Sequence, residues 1–143
     1  MRDSITQAVG ETLPLATHDA MVVPTLETQL SDRQAELWLD RAKRHQIVGA
    51  FALTELGHGS DTRGIETTAT FDRECQQFVL HSPTLTSRKW WPGGLGQTAN
   101  FAICYAQLVI DRRCFGVHGF LVQLRRWDNH EPLPGIIRGD LGP

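Results

Sequence analysis

The chain has 143 residues and a mass of 16.0 kDa, and 41% of its residues are hydrophobic, which is enough to bury one core of ordinary size. Fourteen basic and sixteen acidic residues give a formal charge of −2 and a pI near 6.3, so we expect no nucleic-acid partner. Three cysteines without C-x-x-C spacing fit neither a disulfide scaffold nor a zinc site, and no apolar run reaches the roughly 18 residues of a membrane-spanning helix, so we expect no metal and no membrane insertion.

The first predicted elements are helical and lie before residue 46. Residues 18–30 form one helical stretch, which Pro24 interrupts. Ser31 begins a second helix with a capping box, because its side chain can accept from a first-turn amide while Gln34 reaches back. The apolar residues of this helix share one stripe at helical spacing: Ala35, Trp38, Leu39 and Ala42. Its charged residues point elsewhere, which favours a solvated face over a docking patch.

After Gln46 the pattern changes to short runs of β-branched and aromatic residues separated by glycine, proline and polar turns. The predicted strands are residues 47–53, 67–71, 77–81, 99–110 and 114–124. A hairpin turn at residues 111–113 joins the last two strands. Five strands without helical patterns between them predict a mainly β fold, an antiparallel sheet pair or a small antiparallel β-barrel, preceded by short helices.

Two glycine-rich segments about thirty residues apart carry the functional signal. The first glycine segment is residues 54–61, TELGHGSD, and the second glycine segment is residues 89–96, KWWPGGLG. The first does not match the G-x-G-x-x-G dinucleotide fingerprint, and the second lacks the Gly-Lys-Ser/Thr of a Walker loop. Neither segment is therefore predicted to be a phosphate-binding loop of these two kinds.

The two segments offer a different kind of recognition. Thr54 ends a predicted strand, and with the amides of Glu55 and Leu56 it can donate hydrogen bonds to a heteroaromatic ring. Trp90 or Trp91 can supply an apolar face on which such a ring packs. Composition alone leaves an alternative open, in which both tryptophans belong to the core and the glycines only form turns.

These segments resemble the middle domain of the peroxisomal acyl-CoA oxidases, which belong to the acyl-CoA dehydrogenase superfamily. The stretches that carry the resemblance are residues 51–60, 66–72, 78–80, 82–87, 89–96, 132–136 and 139–143, with 18–19 and 23–26 similar to the helices that lead into that domain. The resemblance implies a partial N-terminal helical region at residues 1–45 and an FAD-binding β-barrel middle domain at residues 46–143.

The resemblance also implies an activity and a cofactor. Family members use FAD to oxidise acyl-CoA to trans-2-enoyl-CoA in fatty acid β-oxidation, and oxygen reoxidises the flavin with release of hydrogen peroxide. Thr54 and Gly93 match the family's flavin-binding residues, and Ser60 and Trp91 in the same motifs are expected as secondary contacts. An acyl-CoA substrate, a peroxisomal location and a homodimer in the full-length form are also implied, although residues 141–143 are not a serine-lysine-leucine type address.

No catalytic residue is assigned within the chain. The family's general base is a glutamate of a C-terminal helical region, which we expect beyond Pro143, and neither Glu55 nor Glu66 matches it. Removal of an α-proton needs a positioned base as well as the cofactor. Two functions therefore stay open: a chain that supplies the flavin-binding barrel of an acyl-CoA oxidase, or a non-catalytic oxidase-like barrel that acts as a binding or interaction module.

Overall fold

The computed structural model describes residues 15–139, so the outer ends of the predicted 1–45 and 46–143 regions, and all but the first residue of the 139–143 motif, lie outside the described residues. A π-helical turn at His18–Val22 runs into helix α1 at Val23–Gln29. Pro24 lies in the first turn of α1, directly after the π-helical turn, so the predicted interruption takes the form of a change from π- to α-helical geometry and not of a break in the helix.

Helix α2 spans Asp32–Lys43, and its predicted capping box is confirmed. The Gln34 amide donates to Ser31 Oγ, and the Ser31 amide donates back to the Gln34 side chain. Three residues of the predicted stripe pack into the main core: Trp38, Leu39 and Ala42. Among the described residues, no helix is long and apolar enough to cross a membrane.

Five strands follow the helices, close to their predicted positions. They are β1 (Gly49–Ala52), β2 (Thr68–Asp72), β3 (Gln77–His81), β4 (Phe101–Ile110) and β5 (Arg113–Gln123). The predicted hairpin turn joins β4 to β5, with Asp111 and Arg112 at φ values of 50° and 64°. Positive φ at both central residues is the geometry that matches the twist of a two-residue hairpin.

The sheet is mixed, so the prediction of an antiparallel arrangement is wrong for two of its strand pairs. Strand β4 pairs antiparallel with β5, and β2 pairs antiparallel with β3. The other edge of β4 pairs in parallel with β1 along its first half and with β2 along its second half. Parallel neighbours need a long crossover, and residues 53–100 provide it between β1 and β4. The sheet of the described strands is not closed into a barrel.

The two faces of the sheet are covered differently, because side chains alternate along each strand. One face packs on the helices in a core that contains Val22, Leu26, Ala42, Ile47, Phe101 and Ile103. The opposite face carries Ala50, Ala52 and Ala102, which are buried in a second, smaller cluster against Leu95 and Leu124. On this face Phe78 of β3 lies 5.3 Å from Phe120 of β5, measured between ring centroids, although the two strands lie at opposite edges. The sheet therefore curls strongly toward its alanine-lined face.

Candidate functional site

The two glycine segments lie side by side, as the sequence predicted. The Trp90 amide donates to the Thr54 carbonyl at 3.0 Å, and the Gly57 amide donates to the Thr86 carbonyl at 2.9 Å. A Cβ on Gly57 would lie 2.8 Å from the Cβ of Thr86, closer than ordinary contact allows. Glycine at position 57 therefore permits the close approach of the first glycine segment to the backbone of Thr86, three residues before the second segment begins.

The backbone donors proposed beside Thr54 are already used within the protein. The Glu55 amide donates to the His58 carbonyl at 3.2 Å, and the Leu56 amide donates to the Arg88 carbonyl at 2.9 Å. The prediction that these two amides serve a ligand is therefore wrong, because the neighbouring turn and strand-like pairing consume them. The Thr54 hydroxyl, by contrast, has no hydrogen-bond partner within residues 15–139, so it keeps both its donor and its acceptor capacity for a ligand.

Three of the four predicted site residues line one cavity of about 260 Å³: Thr54, Trp91 and Gly93. The other residues around this cavity are Thr17, Met21, Phe51, Leu53, Trp90 and Pro92. The cavity thus lies between the helical region, the end of β1 and the second glycine segment. Ser60 is exposed and does not line it. All of the lining residues are uncharged, which suits a neutral aromatic ring.

Both tryptophans of the second glycine segment are exposed, Trp90 by 38% and Trp91 by 71%. The alternative interpretation, in which both are core residues, is therefore wrong. Trp91 has a φ of 49°, in the left-handed region that residues other than glycine rarely adopt, and Gly94 follows at 78°. This turn presents the Trp91 indole at the cavity. The exposed indole is available to pack against an aromatic ring.

The first glycine segment contains a buried carboxylate, that of Glu55. Glu55 is 1% exposed, and its carboxylate accepts from the Glu66 amide at 2.7 Å, from the Thr67 amide at 3.0 Å and from Lys89 Nζ at 3.0 Å. His58 Nδ1 lies 3.2 Å from the same carboxylate. Burial alone would raise the pKa of Glu55, but hydrogen bonds from Thr67, Glu66 and Lys89 outweigh it and hold that pKa below its ordinary value.

Sequence reasoning missed the pair that Glu55 makes with Lys89. Their separation of 34 residues hides the contact, since no local pattern links them. A signal was nevertheless present: each glycine segment contains a charged residue directly beside a residue that could contact the ring, Glu55 after Thr54 and Lys89 before Trp90. Charged side chains in otherwise apolar, tightly turned segments are rarely buried without a partner.

A larger cleft of about 960 Å³ opens on the alanine-lined face of the sheet. Cys104 of β4 faces it, and burial raises the pKa of this thiol, so the thiol stays protonated near neutral pH. Arg125 lies at one end of the cleft and is 2% exposed. Its guanidinium donates to the carbonyls of Ala99 at 2.9 Å and Gly96 at 2.7 Å, which fixes the end of the second glycine segment.

Within residues 15–139, a cluster of possible metal-ligating atoms lies at the junction of helices and sheet. His18, Asp19 and His45 bring ligand atoms within 4.8 Å of one another. Nε2 of His18 donates to the Ala42 carbonyl at 3.0 Å, and Nδ1 accepts from the Gly49 amide at 2.9 Å. Nε2 of His45 contacts Asp19 at 2.8 Å. Since both nitrogens of His18 bind protein groups, the cluster fastens the helical turn to β1.

Known proteins resemble this chain in sequence and in structure. The family model described as acyl-coenzyme A oxidase N-terminal matches residues 1–48. Peroxisomal acyl-coenzyme A oxidase 1 of Homo sapiens is 52% identical over 130 residues, which are 91% of this chain and 20% of the human protein. The chain therefore spans about a fifth of the length of the curated relatives it matches.

Solved structures share this fold. The acyl-CoA oxidase LeACX1 from Lycopersicon esculentum (tomato) superimposes with a TM-score of 0.94 and 49% identity, over 99% of this chain and 22% of that one. Acyl-CoA oxidase-2 of Caenorhabditis elegans, bound with FAD, ascaroside-CoA and ATP, gives a TM-score of 0.90 and 48% identity, over 100% of this chain and 23% of that one.

Proposed function

Because this chain belongs to the acyl-CoA oxidase family, we propose that it supplies the flavin-binding wall of an FAD-dependent acyl-CoA oxidase. The chemistry that FAD supplies when bound is oxidation of the α,β-bond of an acyl-CoA to the trans-2-enoyl-CoA, with oxygen as final acceptor and hydrogen peroxide as product. This reaction belongs to fatty acid β-oxidation. The substrate class follows from the family, since the relatives are named acyl-CoA oxidases.

The observation that carries the proposal is the uncharged cavity shared by Thr54, Trp91 and Gly93. Its volume of about 260 Å³ is just below the roughly 300 to 1,000 Å³ of pockets that enclose whole ligands, which suits one ring system of a larger molecule. A flavin needs polar groups at one edge of its ring and close backbone approach at its face. The residues present therefore fit this group.

Three of the lining residues have separate roles in this proposal. The Thr54 hydroxyl hydrogen-bonds the polar edge of the ring, and the missing side chain of Gly93 lets the backbone approach the ring. Trp91 packs its exposed indole against the ring system. Ser60 lies outside the cavity, so we propose that it contacts the part of the dinucleotide that extends away from the ring.

We expect the general base to lie beyond Pro143, because the carboxylates near the cavity are committed elsewhere. Glu55 is held by backbone amides and Lys89. Glu66 accepts from the hydroxyls of Thr84 and Thr86, each at 2.7 Å, and these hydrogen bonds lower its pKa. A carboxylate with a lowered pKa and satisfied oxygens is a poor proton acceptor for an α-carbon.

We propose that the sheet closes into a β-barrel in the full-length protein, because the sheet already curls strongly. Phe78 and Phe120 meet across the alanine-lined face, and a cleft of about 960 Å³ opens on the same face. Apolar residues such as Val122 and Leu124 line the cleft. Further strands of the full-length protein would cover this surface and close the sheet.

Location and assembly are proposed from the relatives. Human and plant relatives carry peroxisomal names, so we propose a peroxisomal location for the full-length protein. We also propose a homodimer for the full-length form, as the family resemblance implies. Neither proposal depends on the residues of the cavity.

A second candidate function is favoured by one observation. No carboxylate or histidine lines the cavity of about 260 Å³ among the described residues. A non-catalytic barrel that binds flavin, or uses the same surface as a binding or interaction module, needs no such group. The two candidates therefore differ in turnover and not in the shape of the site.

The test is a titration of the purified chain with FAD, followed by flavin fluorescence and by retention of yellow colour after desalting. The Thr54→Val variant should bind more weakly than the wild type, while Thr70→Val, a matched change on β2 outside the cavity, should bind equally well. Peroxide release after addition of a long-chain acyl-CoA separates the two functions. Colour without peroxide supports a flavin-binding wall that lacks its base, and absence of colour contradicts the flavin proposal.

A further inference from the structure

We infer that the buried ion pair of Glu55 and Lys89 positions the two walls of the cavity of about 260 Å³ and thereby sets its width. The pair touches neither the cavity nor a ligand, so both residues are positioning residues. The ligand in this inference is the flavin of the proposed function, but the positioning itself concerns the protein alone.

Lys89 uses its full hydrogen-bonding capacity inside the protein. Its ammonium group donates to the Glu55 carboxylate at 3.0 Å, to the Leu53 carbonyl at 3.2 Å and to the Tyr105 carbonyl at 2.7 Å. A lysine has three N–H donors, so three acceptors satisfy it completely. The Lys89 side chain is 11% exposed and the Glu55 side chain is fully buried, so water competes little for these bonds.

The three acceptors of Lys89 belong to different parts of the cavity's frame. Leu53 and Glu55 flank Thr54 on both sides, and Tyr105 lies on the central strand β4. Lys89 itself directly precedes Trp90, whose amide donates to the Thr54 carbonyl. One ammonium group thus joins the backbone around Thr54, the start of the tryptophan turn and the central strand.

Glu55 extends the same frame in the other direction. Through the amides of Glu66 and Thr67 it holds the segment that leads into β2. A change at either member of the pair therefore removes the side-chain link between the two glycine segments. Among the described residues, the backbone hydrogen bonds that remain between the first glycine segment and residues 86–90 are those donated by Trp90, Leu56 and Gly57.

Stability alone is a weak reason for such a pair. A buried ion pair is often replaced by apolar residues of similar size without loss of stability, because removing two charges from water opposes their attraction. Hydrogen bonds are directional, so bonds from Lys89 to fixed acceptors specify one register of the two segments, whereas apolar contacts do not. The geometry therefore assigns the pair to positioning.

The test compares Lys89→Met, the double variant Glu55→Gln/Lys89→Met, and the control Arg73→Met. The control removes the positive charge from the exposed pair of Arg73 and Asp111, neither of which lines the cavity. Hydrogen exchange of individual amides is measured by NMR on the full chain without ligand. FAD affinity and the positions of the two visible flavin absorption bands are measured on the same samples.

We expect exchange at the Trp90 amide to rise by about tenfold or more in Lys89→Met, relative to amides of β4, and to stay unchanged in the control. The double variant removes both buried charges and should regain global stability, yet keep fast exchange at Trp90. It should also bind FAD about tenfold more weakly, with shifted absorption bands. If Lys89→Met does not fold, the double variant carries the comparison.

The inference is overturned if the Trp90 amide is as protected in the variants as in the wild type. Recovery of wild-type FAD affinity and band positions in the double variant would also overturn it, since the pair would then only stabilise the fold. If the wild-type chain binds no FAD, the proposed function fails, while the exchange data still decide whether the pair positions the segments.

Discussion

Substitution of Gly93 by alanine should narrow the proposed flavin cavity. A Cβ built on Gly93 lies 2.7 Å from Oγ1 of Thr17 and 3.7 Å from its Cβ. Ordinary contact begins at 3.4 Å, so the two walls must separate by about 0.7 Å or the Thr17 side chain must rotate. Either response alters the wall on which the ring is proposed to lie.

The magnitude follows from the cost of overpacking. Adding a carbon to a closely packed site costs about 1 to 3 kcal/mol. If this strain falls on the ligand-bound state, FAD affinity drops by about 5- to 150-fold, because 1.4 kcal/mol corresponds to a factor of ten. The hydroxyl of Thr17 is the group that collides, whereas its Cβ is at an acceptable distance. Thr17→Ala in combination with Gly93→Ala should therefore restore most of the affinity.

The assay is an FAD titration followed by flavin fluorescence, with stability measured in parallel by urea unfolding. Gly59→Ala is the matched control, because a Cβ at Gly59 meets no atom within 4 Å. Gly93→Ala binding FAD as tightly as the wild type would refute the reasoning. So would a double variant that binds no better than the single one, since the collision with Thr17 would then not be the cause.

Three further predictions concern the frame of the site. Phe101 is 2% exposed between the helices and the sheet, so Phe101→Ala should lower the free energy of unfolding by about 3 to 5 kcal/mol in urea denaturation. A loss below about 1 kcal/mol, close to that of a surface substitution, would contradict the shared core. A Cβ on Gly49 meets Cγ1 of Val22 at 2.7 Å, so Gly49→Ala should cost about 1 to 3 kcal/mol and Val22→Ala should recover part of it, which a double-mutant cycle measures. The pKa of Glu55 lies below its ordinary value of 4.5, so the ionised carboxylate stabilises the fold fully above pH 4.5, and this stabilisation is lost as the pH falls through the folded-state pKa. The free energy of unfolding should therefore fall less steeply with decreasing pH in Glu55→Gln/Lys89→Met than in the wild type, and equal slopes for the two proteins would contradict this.

The positions of the elements were predictable because they depend on local patterns. The capping box at Ser31 and the turn at residues 111–113 each involve neighbouring residues, and both are confirmed. Strand direction was not predictable in the same way, because alternation along a strand is the same whichever way its neighbour runs. The parallel pairing of β1 with β4 depends on the path of the long crossover between them.

In the candidate site, too, features that depend on local sequence were predictable and features that depend on distant contacts were not. Thr54 and the tryptophans were proposed from two unusual segments and Gly93 from the family resemblance, and the structure places Thr54, Trp91 and Gly93 around one cavity. The partnership of Glu55 and Lys89 depends on a fold that brings distant residues together, so no spacing rule revealed it. The use of the Glu55 and Leu56 amides within the protein was likewise hidden, because it depends on the turn at His58 and on the path of Arg88.

The most direct test of the flavin proposal is a crystal structure of this chain grown with FAD. The isoalloxazine should lie in the cavity between Thr54 and Gly93, with its polar edge at the Thr54 hydroxyl and its ring against Trp91. A structure in which FAD occupies another surface, or in which saturating FAD leaves that cavity empty, would contradict the proposal.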